Sequence, residues 1–172
     1  MRLYLKDRIG QGTFADIFAP PPDDRAYKLF RRITDPVLTQ VAPYVFNAET
    51  AAYRIAMEQP DLRSRVPAYF GPSPVSHVLA ADGTDVSDGY WLELCYAMER
   101  LAPDPEERKF GSFFNPSERH LMEPFELAFE GAGIGHLGDA SVLYWRTNAP
   151  MLIDFAVSDA ASDHAHIPPG AV

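Results

Sequence analysis

The stretch Ile9-Gly10-Gln11-Gly12-Thr13-Phe14-Ala15-Asp16-Ile17-Phe18 sets two glycines at a turn that leads into an apolar strand. Glycine lets a backbone come close to a bound polyphosphate because no Cβ intervenes, and the turn's amides can donate to phosphate oxygens. Gly10-x-Gly12 alone describes an ordinary tight turn equally well. Its surroundings narrow the choice. Leu3-Tyr4-Leu5 precedes it as a strand and Asp16-Ile17-Phe18 follows as another. Pro20-Pro21-Pro22-Asp23-Asp24 then supplies hairpin punctuation before a third strand, Ala26-Tyr27-Lys28-Leu29-Phe30. Lys28, inside an apolar strand, needs a partner or a ligand unless its ammonium reaches water at a strand edge.

Further along, Ala48, Ala51, Ala52, Ile55 and Ala56 give residues 47–58 a helical apolar face, which Pro60 ends. Glu49 in its first turn either offers Lys28 the opposite charge or simply suits a helix N-terminus. Residues 66–69 and 77–81 read as short strands, with Asp82-Gly83 as a turn. Leu92, Leu94, Tyr96 and Met98 alternate through a strand over residues 91–101. Pro103-Asp104-Pro105-Glu106-Glu107-Arg108-Lys109 is polar and marks a linker. Asn115-Pro116-Ser117-Glu118 carries helix-start signals, and Gly131-Ala132-Gly133 stops that helix. Val142-Leu143-Tyr144 and Met151-Leu152-Ile153 form a hairpin, and residues 158–172 read as a polar, proline-rich tail.

With 172 residues, 47% of them hydrophobic, the chain can bury one core or two small lobes around a cleft. A net charge of -9 argues against a nucleic-acid partner, which needs a basic stripe. No apolar run approaches the roughly 20 residues that span a bilayer, and no signal-peptide pattern opens the chain. Cys95 is the lone cysteine. The expected location is cytoplasmic, or a host cell reached by secretion without a cleaved signal peptide. His164-Ala165-His166 fits a solvated end better than a metal site, and Asp82, Asp85 and Asp88 lack a calcium-loop pattern.

Taken in order, the glycine turn, Ala26-x-Lys28, a helix with Glu49, a strand ending Met98-Glu99-Arg100-Leu101, a long helix and Leu152-Ile153-Asp154-Phe155-Ala156 together resemble the protein-kinase-like family. The resemblance covers about residues 1–158 and implies an α+β, bilobal fold. On that resemblance residues 1–101 would form a small antiparallel-sheet lobe, 102–158 a truncated helical lobe with the metal hairpin, and 159–172 a tail. It implies ATP and Mg²⁺ as the ligands. Gly10, Gly12 and Phe14 would cover the phosphates, Lys28 would contact the α and β phosphates, and Glu49 would position Lys28. The backbone from Glu99 to Leu101 would bind adenine, with Met98 at or near the gatekeeper position, and Asp154 would ligate Mg²⁺.

The segment Gly133-Ile134-Gly135-His136-Leu137-Gly138-Asp139-Ala140-Ser141 departs from the family pattern, in which a catalytic aspartate stands five residues before a metal-binding asparagine. Registered on the strand that follows, Ser141 takes the asparagine position and His136 the aspartate position. Registered on His136 instead, His136-x-x-Asp139 becomes a stretched His-x-Asp and the loop is three residues short. His136 titrates near neutrality and suits a base, and Asp139 could serve as base or second metal ligand. Both residue types also occupy loops for structural reasons. The part of a kinase that binds a peptide substrate has no counterpart after Ala156, so the resemblance is to minimal kinases of bacterial effector type. Three functions follow from it: a γ-phosphoryl transfer to a protein hydroxyl, a pseudokinase that binds a protein partner, or transfer of another group such as AMP.

Overall fold

The structure, a computed structural model, describes residues 1–101, 111–112, 126–134, 140–145 and 149–155. The chain divides into two units, Met1–Phe46 with Tyr69–Arg100, and Asn47–Ala68 with Leu101–Val172. The architecture is α+β, with most strand pairing antiparallel.

In the first unit, β2 (Arg8–Gln11), β3 (Ala15–Phe18), β4 (Arg25–Arg31), β5 (Tyr69–Pro72) and β7 (Tyr90–Glu99) form one antiparallel sheet in the order β2-β3-β4-β7-β5. The β3, β4 and β7 segments emerge where the alternating residues and turn punctuation predict them. A residue in each strand stands opposite one in the next, so side chains sort into two faces. Phe18, Tyr27, Leu29, Tyr90, Cys95 and Ala97 share a core cluster with Leu3, Val75 and Val78. Leu3 and Val78 come from β1 (Arg2–Tyr4) and β6 (His77–Leu79), which pair in parallel as a separate two-stranded sheet. Each large side chain in this cluster contributes about 1.5–3 kcal/mol by leaving water. Burial pushes the Cys95 thiol up to about 12, so it is an inert core group.

The helix differs from its expected extent. It runs over Pro36–Glu58 as α1, eleven residues earlier than the alanine-rich face suggests, and passes through Pro43. Asp35 explains the start. Its Oδ1 accepts from the amides of Val37 at 2.8 Å and Leu38 at 3.1 Å, while Pro36 fills the first helical position, where no amide is required. The buried stripe then continues through Val41, Ala42, Val45, Phe46, Glu49, Thr50, Ala52, Tyr53 and Ala56, the spacing of one helical face. Residues 36–46 belong to the first unit, where Phe46 packs edge-on to Phe30 with ring centroids 5.6 Å apart.

β5 also differs, lying three residues beyond the expected 66–69. Val66 is buried but unpaired, and the strand instead bulges between Tyr69 and Gly71, whose φ is 96°. Glycine accepts that backbone without a Cβ penalty.

The turn at Asp82-Gly83 forms as expected, with Gly83 at φ 87°. Beyond it Asp85 accepts from the Ser87 hydroxyl, from the Ser87 amide at 2.9 Å and from His77 Nδ1 at 2.9 Å. These contacts, the Ser87 hydroxyl foremost, hold the Asp85 carboxyl at about 2, below the ordinary carboxylate range. Because the folded value is depressed, the stabilisation is present above the unfolded value of about 3.9. It is lost as pH falls through about 2. A carboxyl-carbon NMR titration should find the Asp85 midpoint near 2 in the wild type and raised part of the way towards the ordinary aspartate value after Ser87→Ala, because the Ser87 amide and His77 still donate.

In the second unit, α1 contributes residues 47–58, followed by α2 (Pro60–Arg63). A three-stranded antiparallel sheet joins β8 (Gly111–Ser112), β9 (Ser141–Trp145) and β10 (Ala149–Ile153), and β9 and β10 are the hairpin read from the sequence. Residues 126–131 are helical. The amide of Gly133 bonds to the Glu130 carbonyl at 2.9 Å and that of Ile134 to Phe129 at 3.0 Å, with Gly133 at φ 81°. This is a Schellman end, and it confirms the expected stop. The segment 103–109, the helix start at 115–118 and the tail lie outside the described residues.

Candidate functional site

The glycine turn closes between β2 and β3. Gly10 stands opposite Ile17 and Gln11 opposite Asp16, and the Gly12 amide donates to the Ala15 carbonyl at 2.8 Å. Ile17 stands in turn opposite Lys28 in β4, and Lys28 opposite Tyr96 in β7. Gly10, Ile17, Lys28 and Tyr96 therefore form one row on one face of the sheet. With neighbouring strands about 4.8 Å apart, Gly10 and Lys28 are separated by about 10 Å across β3. Ala26 and Phe30 flank Lys28 along β4 on that face, and Met98 stands opposite Ala26.

Lys28 is 7% exposed, in the central strand, with its Nζ 5.9 Å from the centre of the Phe30 ring. A strand-edge lysine with a hydrated ammonium is thus not what the fold contains. The sequence signal, a cation within an apolar strand, points correctly to a buried charge.

Neither Gly10 nor Gly12 is forced by its own backbone or neighbours. A Cβ at Gly10 would meet Ile17 at 3.5 Å and one at Gly12 the Ala15 carbonyl at 3.5 Å, both ordinary contacts, and neither residue has a positive φ. Gly10→Ala should therefore leave stability unchanged or raise it by about 0.4–1 kcal/mol through the unfolded chain. It should weaken Mg-ATP binding if phosphate lies against this strand. Denaturant unfolding beside calorimetric titration separates the two effects.

The sequence reading passed over Asp16. It is 0% exposed. Its Oδ2 accepts from Tyr90 Oη at 2.8 Å and Arg8 Nη1 at 3.2 Å, and Arg31 Nε lies 3.4 Å from its Oδ1. Burial, and then the bond to Asp16, push the Tyr90 phenol well above the ordinary tyrosine range. A short acid beside glycines looks like turn chemistry in sequence, and only the pairing of four strands, β2, β3, β4 and β7, brings it together with its partners. The one readable hint is Arg8 and Arg31 bracketing a strand that otherwise needs no charge.

At the other end of the first unit, Glu99 closes β7 opposite Arg25, and the Arg100 amide donates to the Asp24 carbonyl at 3.1 Å. Glu99 and Met98 are half-buried; Phe14, at the turn tip, is half-buried too. Leu101 falls in the second unit.

In the second unit, Glu49 is 1% exposed. It occupies a position on the buried stripe of α1, where an apolar residue would ordinarily sit. With Asp16, Lys28 and Thr50 it makes up the buried polar residues among those described. Asp154 follows β10 directly and has φ 55°, the one non-glycine residue at positive φ among those described. Aspartate tolerates this region better than most residues, yet it remains an uncommon conformation that favours functional or turn positions. Asp154 is exposed, and the chain then turns inward so that Phe155 is buried against Tyr53, with ring centroids 4.8 Å apart, and Phe129, at 5.8 Å. Ser141 pairs with Ile153 across the hairpin, so the fold brings its backbone next to Asp154. His136 and Asp139 lie outside the described residues.

Among the described residues no group of three or more His, Cys, Asp or Glu side chains could hold a metal by itself, and no helix is long and apolar enough to cross a membrane. Comparison with protein-family models, curated proteins and solved structures returned no match.

Proposed function

We propose that this chain is a minimal kinase-like phosphotransferase that binds ATP with Mg²⁺ and moves the γ-phosphoryl group to a protein hydroxyl. The observation that carries the reading is Lys28, a lysine buried in the middle of an antiparallel sheet and in the same cross-strand row as Gly10. A sheet interior tolerates such a cation only where an anion answers it. Further support comes from α1, which enters between the third and fourth strands of that sheet along the chain, and from Asp154 at a backbone conformation uncommon for its type.

The roles follow the family resemblance. Gly10, Gly12 and Phe14 approach the phosphates, Lys28 neutralises the α and β phosphates, and Glu49 orients Lys28. The backbone from Glu99 to Leu101 receives adenine. Asp154 and Ser141 are the proposed Mg²⁺ ligands, a reading supported by the exposure of Asp154 and by the backbone pairing of Ser141 with Ile153, the residue before it. Bound there, the ion would supply charge neutralisation for the phosphates. The substrate hydroxyl gains the phosphoryl group, its proton passes to a base, and ADP leaves. His136 or Asp139 is the proposed base. The partner is a protein substrate, and the resemblance fits a cytoplasmic protein or one delivered into a host cell.

The test incubates the purified chain with γ-labelled ATP, Mg²⁺ and a host or bacterial lysate, beside Lys28→Met and His136→Ala. Label on a lysate protein that disappears with Lys28→Met is the expected result. Transfer that persists in His136→Ala leaves Asp139 as the proposed base. No label, with an ATP-dependent thermal shift, would make the chain a nucleotide-binding pseudokinase. Neither label nor shift removes the nucleotide site. Label that follows the α-phosphate identifies AMP transfer.

A further inference from the structure

Three successive carbonyls of the glycine turn are held by one residue. Arg31, at the end of β4, donates from Nη2 to the carbonyl oxygens of Gly12 and Thr13, the latter at 2.8 Å, and from its own amide to Phe14 at 2.8 Å. Its guanidinium is in turn set by Asp16, whose Oδ1 lies 3.4 Å from Arg31 Nε. Asp16 is itself fixed by Tyr90 Oη at 2.8 Å and Arg8 Nη1 at 3.2 Å. Arg31 stands opposite Tyr90, and Asp16 opposite Leu29, on the sheet face away from Lys28.

Peptide planarity gives this arrangement a direction. In a trans peptide the carbonyl of one residue and the amide of the next lie in one plane and point in opposite directions within it. With the Gly12 and Thr13 carbonyls turned toward Arg31, the amides of Thr13 and Phe14 are turned away from it. Neither amide donates to a group among the described residues. Carbonyl oxygens, which repel phosphate, are thereby withdrawn, and two consecutive donors are presented together, an arrangement suited to anionic oxygens.

We infer that Arg31, anchored on the buried Asp16, is a positioning residue that fixes the peptide planes of the glycine turn so that the Thr13 and Phe14 amides are set to receive the phosphates of a nucleotide. The inference rests on the nucleotide reading above, and it adds a residue pair that the reading does not use. A turn held this way avoids the ordering cost that a loose glycine loop meets on binding. The planar fork of arginine is needed, because a lysine ammonium at the same place cannot reach two carbonyls and keep its place beside the carboxylate.

The test uses the full chain and two variants, Arg31→Lys and the double variant Asp16→Asn/Arg31→Gln, which leaves neither charge behind if the first fails to fold. Backbone nitrogen relaxation of the free protein should give rigid order parameters, about 0.85, at Gly12, Thr13 and Phe14, falling below about 0.6 in either variant. Titration with Mg-ATP should show affinity weakened about tenfold in the same variants. Order parameters unchanged in the variants would overturn the positioning role, whatever ATP does. A rigid wild-type turn that loosens in the variants, in a chain that binds no Mg-ATP, would establish Arg31's hold on the turn and discard the nucleotide reading instead.

Discussion

Asp154→Ala is expected to abolish the Mg²⁺-dependent part of nucleotide binding and to lower phosphoryl transfer by on the order of 10²–10³-fold, the cost of removing one group that stabilises transferring charge. In the wild type, Mg-ATP at a hundred times its dissociation constant should stabilise the fold by about 2.7 kcal/mol, which raises Tm by about 5–10 °C in a protein of this size. That shift should vanish in the variant. A complication is that Asp154 sits at φ 55°, so alanine there also incurs about 1–2 kcal/mol of backbone strain. Asp154→Gly separates the two causes. Glycine accepts the conformation freely, so this variant should be as stable as the wild type or slightly more so, while still losing the Mg²⁺-dependent shift. If Asp154→Gly keeps the shift, the residue is serving the hairpin's exit and nothing more.

The second large effect is on stability. Asp16→Ala should destabilise the chain by about 2–4 kcal/mol in denaturant unfolding, because it strands two guanidinium groups and removes the acceptor of a buried phenol. The figure is placed below the full cost of breaking a buried pair because the Arg8 and Arg31 side chains retain 38% and 27% exposure and water can answer part of their charge. Asp16→Asn keeps an acceptor for Tyr90 and should cost less than alanine. An Asp16→Ala chain that unfolds within about 0.5 kcal/mol of the wild type would mean that the arginines are satisfied by solvent and that the carboxylate anchors nothing.

What the sequence disclosed follows the range of the interactions concerned. The β3, β4 and β7 strands were readable because alternation and turn residues are local, and the same holds for the Gly133 helix stop. Only the alanine-rich half of α1 was legible, since the earlier half carries Pro36 and Pro43, a residue type that disfavours a helix interior. Asp35-Pro36 was in fact the start signal, and an apolar stripe from Val41 onward outweighs one missing amide. The parallel pairing of β1 with β6 joins residues some seventy-five positions apart and leaves no local trace. For the site, Lys28 was legible because a cation among apolar strand residues contradicts its setting. Asp154 was legible as part of an ordered motif, but its left-handed backbone was not. Asp16 stayed hidden because its partner Tyr90 comes from β7, two strands away in the sheet and 74 residues later in the chain.

The two faces of the central sheet give strand β4 an unusual experimental property. Tyr27 and Leu29 belong to the sealed core, whereas Ala26 and Lys28 lie on the face that also carries Gly10. Ala26, Lys28 and Phe30 are buried as well, so a residue-by-residue scan should lower the melting point at every position from 26 to 30, while the response to ligand should follow the even face alone.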